Sequence, residues 1–181
     1  MYGLVNKAIK DLVEERFGHD TWKRIAEAAD FHDHEFLSME PYDDELTYRL
    51  VEAGCKELGM EAKDLLDAFG EFWIMYTAAE GYGELLDLFG TNFEEFVANL
   101  DAMHSRVGLS MPQPQPPGFS FERRKTGLHR LHYRSGRPGL APMVIGILRG
   151  LGDRFRTKVA VAHLPQESEP GHDVFSIRVE D

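Results

Sequence analysis

The chain has 181 residues, of which 43% are hydrophobic, and a formal net charge of -11. This length allows one domain, or two joined subdomains, with a substantial core, whereas the negative charge and the lack of a Lys/Arg-rich run argue against a nucleic-acid partner. The only cysteine, Cys55, excludes an internal disulfide and a CxxC zinc or redox pair. Because the N-terminus lacks the apolar core of a signal peptide and no stretch is long and apolar enough for a bilayer, we expect a cytoplasmic protein without membrane contacts.

Apolar residues recur at helical spacing through the first hundred positions. The pattern predicts a first helix from Leu4 and a second around Trp22. Asp43 and Asp44 are N-cap candidates for a third helix. Further helices are predicted over 63–78, 83–88 and 92–107.

The hydrophobic period changes near the proline-rich segment 111–117. Beyond it, the pattern predicts a strand over 127–135, a helix over 141–155 and an antiparallel pair of strands, 157–163 and 174–179. We therefore expect an α+β fold over 1–181, with a helical N-terminal subdomain (about 1–60) packed on a mixed C-terminal subdomain of helix and antiparallel sheet (about 61–181).

The pattern Tyr133-x-Ser135-x-Arg137 is the most informative local feature. Alternate residues of an extended segment share one face, and the following Pro138 favours an extended Arg137. The two hydroxyls and the guanidinium would then form a row of donors in which Arg137 could hold a carboxylate bidentately. This pattern indicates a buried cofactor with two carboxylates, and a solvated strand face is the ordinary alternative.

His104 lies on the apolar face of the helix predicted over 92–107. A neutral imidazole in an apolar environment can ligate iron through one nitrogen. The ordinary alternative is a core histidine hydrogen-bonded to a backbone carbonyl. Helical spacing places five apolar residues on the same face: Phe93, Phe96, Val97, Leu100 and Val107.

Six sequence blocks in order resemble the haem nitric oxide/oxygen binding (H-NOX) family, bacterial relatives of the haem domain of the soluble guanylate cyclase β subunit. The resemblance spans essentially the whole chain. The blocks are Met1-Tyr2-Gly3-Leu4-Val5-Asn6, Asp43-Asp44-Glu45-Leu46-Thr47-Tyr48, Gly81-Tyr82-Gly83, Asn99-Leu100-Asp101-Ala102-Met103-His104, Tyr133-Arg134-Ser135-Gly136-Arg137 and Gly139-Leu140-Ala141-Pro142-Met143.

The resemblance implies a non-covalent haem b buried between the two subdomains. His104 matches the family's proximal iron ligand, and Pro117, or its neighbour Pro116, matches the proline that packs against the porphyrin and distorts it. The triad that holds the haem propionates corresponds to Tyr133, Ser135 and Arg137. Candidate pocket-lining residues are Leu4, Val5, Trp73, Leu100, Met143 and Ile147.

The choice of gas depends on Met143, which aligns with the distal tyrosine of oxygen-binding relatives. A thioether has no hydrogen to donate to bound oxygen, although the indole of Trp73 is a second possible donor. The resemblance therefore implies a sensor of nitric oxide that also binds carbon monoxide and binds oxygen poorly. An oxygen-binding or redox-sensing haem protein is the alternative.

The resemblance also implies signalling rather than catalysis. Nitric oxide would bind opposite His104 and weaken the bond between His104 and the iron, which changes the conformation of the chain. We expect the signal to pass to a separate partner, either a histidine kinase or an enzyme of cyclic di-GMP metabolism. A haem enzyme would need distal acid-base residues, and none is predicted at Met143.

Overall fold

The computed structural model describes residues 1–32, 35–110, 116–125 and 127–180, and it divides into two units, residues 1–69 and 70–181. The predicted architectural boundary at 111–117 lies largely outside the described residues. In the described ranges, no helix has the length and apolarity needed to span a membrane.

The first unit is helical, as predicted. It contains α1 (Gly3–Phe17), α2 (His19–Ala28), α3 (Asp44–Leu58) and the first half of α4 (Ala62–Thr77). Asp43 caps α3, since its carboxylate accepts a hydrogen bond from the Glu45 backbone N–H at 3.0 Å. Trp22 and Ile25 of α2 and Leu50 of α3 are buried in the core of this unit.

Within its described residues, the second unit contains the end of α4 and the α-helices α5 (Gly83–Asp87), α6 (Phe93–Ala98), α7 (Leu100–Ser110) and α8 (Ala141–Arg154). A five-residue π-helical turn, Ala78–Tyr82, separates α4 from α5, and the chain kinks within it at Gly81, whose φ is +95°. Only glycine adopts such an angle without strain.

The prediction of one helix over 92–107 was wrong, because α6 and α7 are separated at Asn99. This residue leaves helical geometry, with φ -97° and ψ 2°, and its side-chain amide donates to the Phe89 carbonyl at 2.8 Å. Asparagine side chains offer the backbone such alternatives to a regular helix. The apolar spacing across the break is still close to helical, so the periodicity gave no sign of it.

In the described ranges, four antiparallel strands form one sheet in the order β1-β2-β4-β3. They are β1 (Gly118–Glu122), β2 (Leu128–Arg134), β3 (Lys158–His163) and β4 (His172–Glu180). The predicted pairing of the last two segments is confirmed, as Val159 lies opposite Val179. β1 was not predicted. Helices and an antiparallel sheet together confirm the α+β class.

The second unit's core lies between the sheet and the helices. Leu131 of β2, Phe175 of β4 and Leu148 of α8 are all fully buried in it, together with Phe93 and Phe96 of α6. One strand face is thus apolar and packed, while the alternate residues of β2 face the other way.

Gly70 sets the distance between α4 and α8. A Cβ atom there would lie 2.7 Å from the Ile147 nitrogen, 3.0 Å from the Gly146 carbonyl carbon and nearer still to the Met143 carbonyl oxygen. These neighbours are backbone atoms, so they cannot move aside as a side chain could. The absence of a side chain at Gly70 therefore fixes the position of the α8 backbone at two candidate pocket residues.

Candidate functional site

His104 lies one turn into α7 and is oriented by a backbone carbonyl. Its Nδ1 is 2.9 Å from the Leu100 carbonyl oxygen, which can only accept, so Nδ1 carries the proton and Nε2 keeps its lone pair. Burial lowers the pKa of His104, although this hydrogen bond and the charge of Asp101 act in the opposite direction. The imidazole is therefore held neutral, in the tautomer and orientation that a metal-ligating histidine requires.

An aromatic contact joins His104 to the sheet. Its ring centroid lies 4.9 Å from that of Phe119 on β1, and Phe119 lies 5.4 Å from Tyr133 on β2. Asp101 reinforces the connection, because its carboxylate accepts the Phe119 backbone N–H at 2.8 Å. Thus α7 is fastened to β1 three residues before His104.

Sequence reasoning missed the roles of Asp101 and Phe119. The signal available for β1 was the apolar alternation of Phe119 and Phe121 directly after the prolines. Nothing in the sequence pattern paired Asp101 with a backbone amide 18 residues away.

Tyr133, Ser135 and Arg137 come together by side-chain contacts rather than by strand alternation. The prediction of an extended segment through all three was wrong, since β2 ends at Arg134. The Ser135 N–H donates to the Gly171 carbonyl at 3.0 Å, and the Ser135 hydroxyl then accepts the Arg137 backbone N–H at 3.1 Å. Such a serine turn two residues long competes with continuation of a strand.

Tyr133 is a neutral hydrogen-bonding group in this cluster. Burial raises its pKa, while a hydrogen bond with the Ser135 side chain and the nearby charge of Arg137 oppose that rise. The phenol therefore keeps its proton at neutral pH. Two hydroxyls beside a guanidinium are suited to bind carboxylate groups.

The remaining candidate residues occupy several elements. Leu100 is buried on α7, whereas Trp73 on α4 and Met143 and Ile147 on α8 are half-buried; Leu4 and Val5 lie on α1 in the first unit. Pro117 is half-buried and directly precedes β1. The exposed Pro116 lies beside Gly108 of α7, where an added Cβ would be 3.3 Å from its ring.

The family model described as Haem-NO-binding matches residues 2–163. Among curated proteins, soluble guanylate cyclase gcy-35 of Caenorhabditis elegans is 28% identical over 182 residues, covering 97% of this chain and 26% of that protein. Guanylate cyclase soluble subunit beta-2 of Rattus norvegicus is 39% identical over 111 residues, covering 61% of this chain and 16% of the relative. The chain thus spans about a quarter or less of the length of these two relatives.

Solved structures share the whole fold. An H-NOX protein from S. oneidensis in the Fe(II)NO ligation state superposes with a TM-score of 0.89 at 22% identity, covering 100% of both chains. An unliganded Fe(II) H-NOX protein from K. algicida gives 0.84 at 18% identity, covering 100% of this chain and 97% of the other. The family model covers most of the chain and these structures share its fold, so the chain belongs to the haem-NO-binding (H-NOX) family.

Proposed function

We propose that this chain is a cytoplasmic, haem-based sensor of nitric oxide that also binds carbon monoxide and discriminates against oxygen. The observation that carries the proposal is the state of His104. Its imidazole is neutral and carries its proton on Nδ1, so that Nε2 can act as the proximal ligand of a haem iron. Membership of the haem-NO-binding family leads us to expect a haem. The hydrogen bond of His104 supports that expectation independently.

The residues present fit a non-covalent haem b. His104 would hold the iron, while Tyr133, Ser135 and Arg137 would hold the two propionates by hydrogen bonds and opposite charge. When bound, the haem supplies the iron centre at which a diatomic gas is ligated. The aromatic series from His104 through Phe119 to Tyr133 joins the proposed ligand to the proposed anchors in one packed cluster.

The proposed pocket lining is apolar and poor in donors. In the second unit it comprises Trp73, Leu100, Met143 and Ile147, with Pro117 as the residue that would contact the porphyrin. By resemblance, Met143 aligns with the distal tyrosine of oxygen-binding relatives, and its thioether has no hydrogen to donate to bound oxygen. Nitric oxide and carbon monoxide rely less on such a donor, so Met143 sets the selectivity.

The proposed signal begins at His104 and leaves through α7. The Asp101 carboxylate on α7 accepts a hydrogen bond from the Phe119 amide on β1. A displacement of His104 would therefore change the length or angle of that hydrogen bond. A gas shifts the population of two conformations only as far as it binds one of them more tightly. We propose a separate signalling protein, a histidine kinase or a cyclic di-GMP enzyme, as the receiver.

Absorption spectra of the anaerobic ferrous haem-loaded protein test the selectivity. We expect nitric oxide and carbon monoxide to shift the Soret band and oxygen to leave it unchanged. Met143→Tyr adds a hydroxyl and should create a measurable oxygen complex, whereas the matched control Met143→Leu removes sulfur without adding a donor and should not. A stable oxygen complex of the unmodified protein would contradict the proposal and favour oxygen sensing.

Substitution of the proposed ligand tests the signal route. His104→Gly with free imidazole should restore haem binding and the nitric oxide spectrum while the iron is no longer attached to α7. Nitric oxide should then fail to change amide hydrogen exchange in α7 and β1. An exchange response as large as that of the unmodified protein would refute transmission through His104.

A further inference from the structure

A second histidine cluster lies on the sheet, apart from His104. His132 on β2 and His172 on β4 are diagonal neighbours, since His132 pairs with Val174 and His172 with Arg134. The Nδ1 of His132 is 3.0 Å from the Nε2 of His172. The two side chains are 20% and 19% exposed, so solvent and small ions can reach them.

Each imidazole has a carboxylate on its outer nitrogen. Glu122 Oε1 is 3.2 Å from the Nε2 of His132, and Glu169 Oε1 is 3.6 Å from the Nδ1 of His172. The Glu122 carboxylate is within hydrogen-bond distance of His132, whereas the contact between Glu169 and His172 is a longer, electrostatic one. The two inner nitrogens, His132 Nδ1 and His172 Nε2, face each other and are close enough for one cation to bind both.

We propose that His132 and His172 form a binding site for one divalent transition-metal ion, with Zn²⁺ as the reference ion. Two nitrogens on one tetrahedral Zn²⁺ lie about 3.3 Å apart, given Zn–N bonds of about 2.0–2.1 Å. The observed 3.0 Å is a few tenths of an ångström shorter, and each ring must also rotate so that its lone pair points to the ion rather than to the other nitrogen.

The carboxylates of Glu122 and Glu169 would support the metal site by orienting its ligands. Carboxylate, histidine and metal in series is the common arrangement around protein-bound zinc, because the carboxylate orients the ring and increases its basicity. In the part of the chain that the structure describes, no group of three or more histidine, cysteine or carboxylate side chains converges on one point. The two histidines would therefore be the protein ligands, and water would complete the coordination.

The backbone holds the second ligand in place. His172 and Glu169 exchange two backbone hydrogen bonds of 2.9 Å across a tight turn, in which Gly171 has a φ of +78°. The Gly171 carbonyl also accepts the Ser135 N–H. Metal binding would thus stiffen the turn that supports Ser135, although the site itself does not depend on the proposed gas-sensing function.

Calorimetric titration of tag-free, haem-loaded protein with ZnCl₂ tests the site, together with zinc analysis after desalting. We expect one zinc per chain, with binding weakened at least tenfold in His132→Gln and in His172→Gln and about 10–100-fold in Glu122→Gln. Zinc should also slow hydrogen exchange at the Ser135 and His172 amides.

His19→Gln is the matched control. This exposed histidine also has a carboxylate partner, Glu14, at 2.6 Å, but it is not paired with a second imidazole in the described hydrogen bonds. Its loss should leave zinc binding unchanged. Each variant is compared at equal haem content, and His172→Gln provides an independent readout if His132→Gln fails to fold. Absence of zinc binding by the unmodified protein, or unchanged binding in folded His132→Gln or His172→Gln, would overturn the proposal.

Discussion

Replacement of Gly70 by alanine tests whether the close approach of α4 and α8 determines the stability of the second unit. Alanine alone would favour a helix by about 1 kcal/mol over glycine. The new Cβ, however, would lie 2.7 Å from the Ile147 nitrogen and closer to the Met143 oxygen, where ordinary contacts need roughly 3.5 Å. The helices must therefore separate by about 1 Å.

Forced separation of packed backbones costs about 3 kcal/mol, the upper end of the usual range for overpacking, because no side chain can rotate away. After the helical gain is subtracted, the net loss is about 2 kcal/mol. For a chain of this size that lowers Tm by about 4–8 °C, measured by circular dichroism of the haem-loaded protein. The shift should also move Met143, which alters the spectrum of the carbon monoxide complex.

Alanine substitutions at two other glycines serve as comparisons for the Tm of Gly70→Ala. In Gly150→Ala the nearest atom, the Glu71 carbonyl oxygen, lies at 3.0 Å, so we expect a smaller loss. In Gly136→Ala no atom lies within 4 Å in the described chain, and Tm should be nearly unchanged. A Gly70→Ala protein as stable as the unmodified one would refute the argument that the two backbones are in contact.

Three further predictions concern contacts seen in the structure. Asp101→Ala removes the acceptor of the Phe119 N–H and should lower the free energy of unfolding in urea by about 1 kcal/mol; no change would show that the bond contributes nothing. Asn99→Ala removes the donor to the Phe89 carbonyl and should cost about 1–2 kcal/mol in the same assay, whereas a more stable variant would indicate that the break is incidental. Burial raises the pKa of Cys55, so at pH 8 iodoacetamide should alkylate it more slowly in the folded protein than in urea, and equal rates would contradict this.

Much of this fold could be predicted from apolar spacing because most elements bury one regular face. The helices of the first unit, α8 and the β3–β4 pair all have that character, and each was expected near its observed position. The interruption at Asn99 could not be predicted in the same way. It depends on a side-chain bond to Phe89, ten residues away, and an apolar pattern carries no information about such a bond.

The candidate site shows the same division between local and tertiary information. His104 could be predicted to face inward, since helical spacing alone places it there. Its tautomer could be assigned only from its hydrogen bond to the Leu100 carbonyl. Its contact with the sheet could be seen only once β1 was known. Likewise, we expected a group formed by Tyr133, Ser135 and Arg137, but we expected it to arise from an extended strand. The structure has a turn at Ser135 instead, and the Gly171 carbonyl from a distant loop accepts the Ser135 N–H.

The break at Asn99 and the bond at Asp101 together bear on how a ligand at His104 could act at a distance. Because α6 and α7 are separate helices, a tilt of α7 would not require α6 to unwind, and Phe93 and Phe96 of α6 are buried in the core. A tilt of α7 would pull on the sheet, however, since Asp101 accepts a hydrogen bond from the Phe119 amide at the start of β1. A continuous helix without this bond would confine the displacement of His104 to its own surroundings. The two features that sequence periodicity failed to predict are therefore the two that would direct a change at His104 to the sheet.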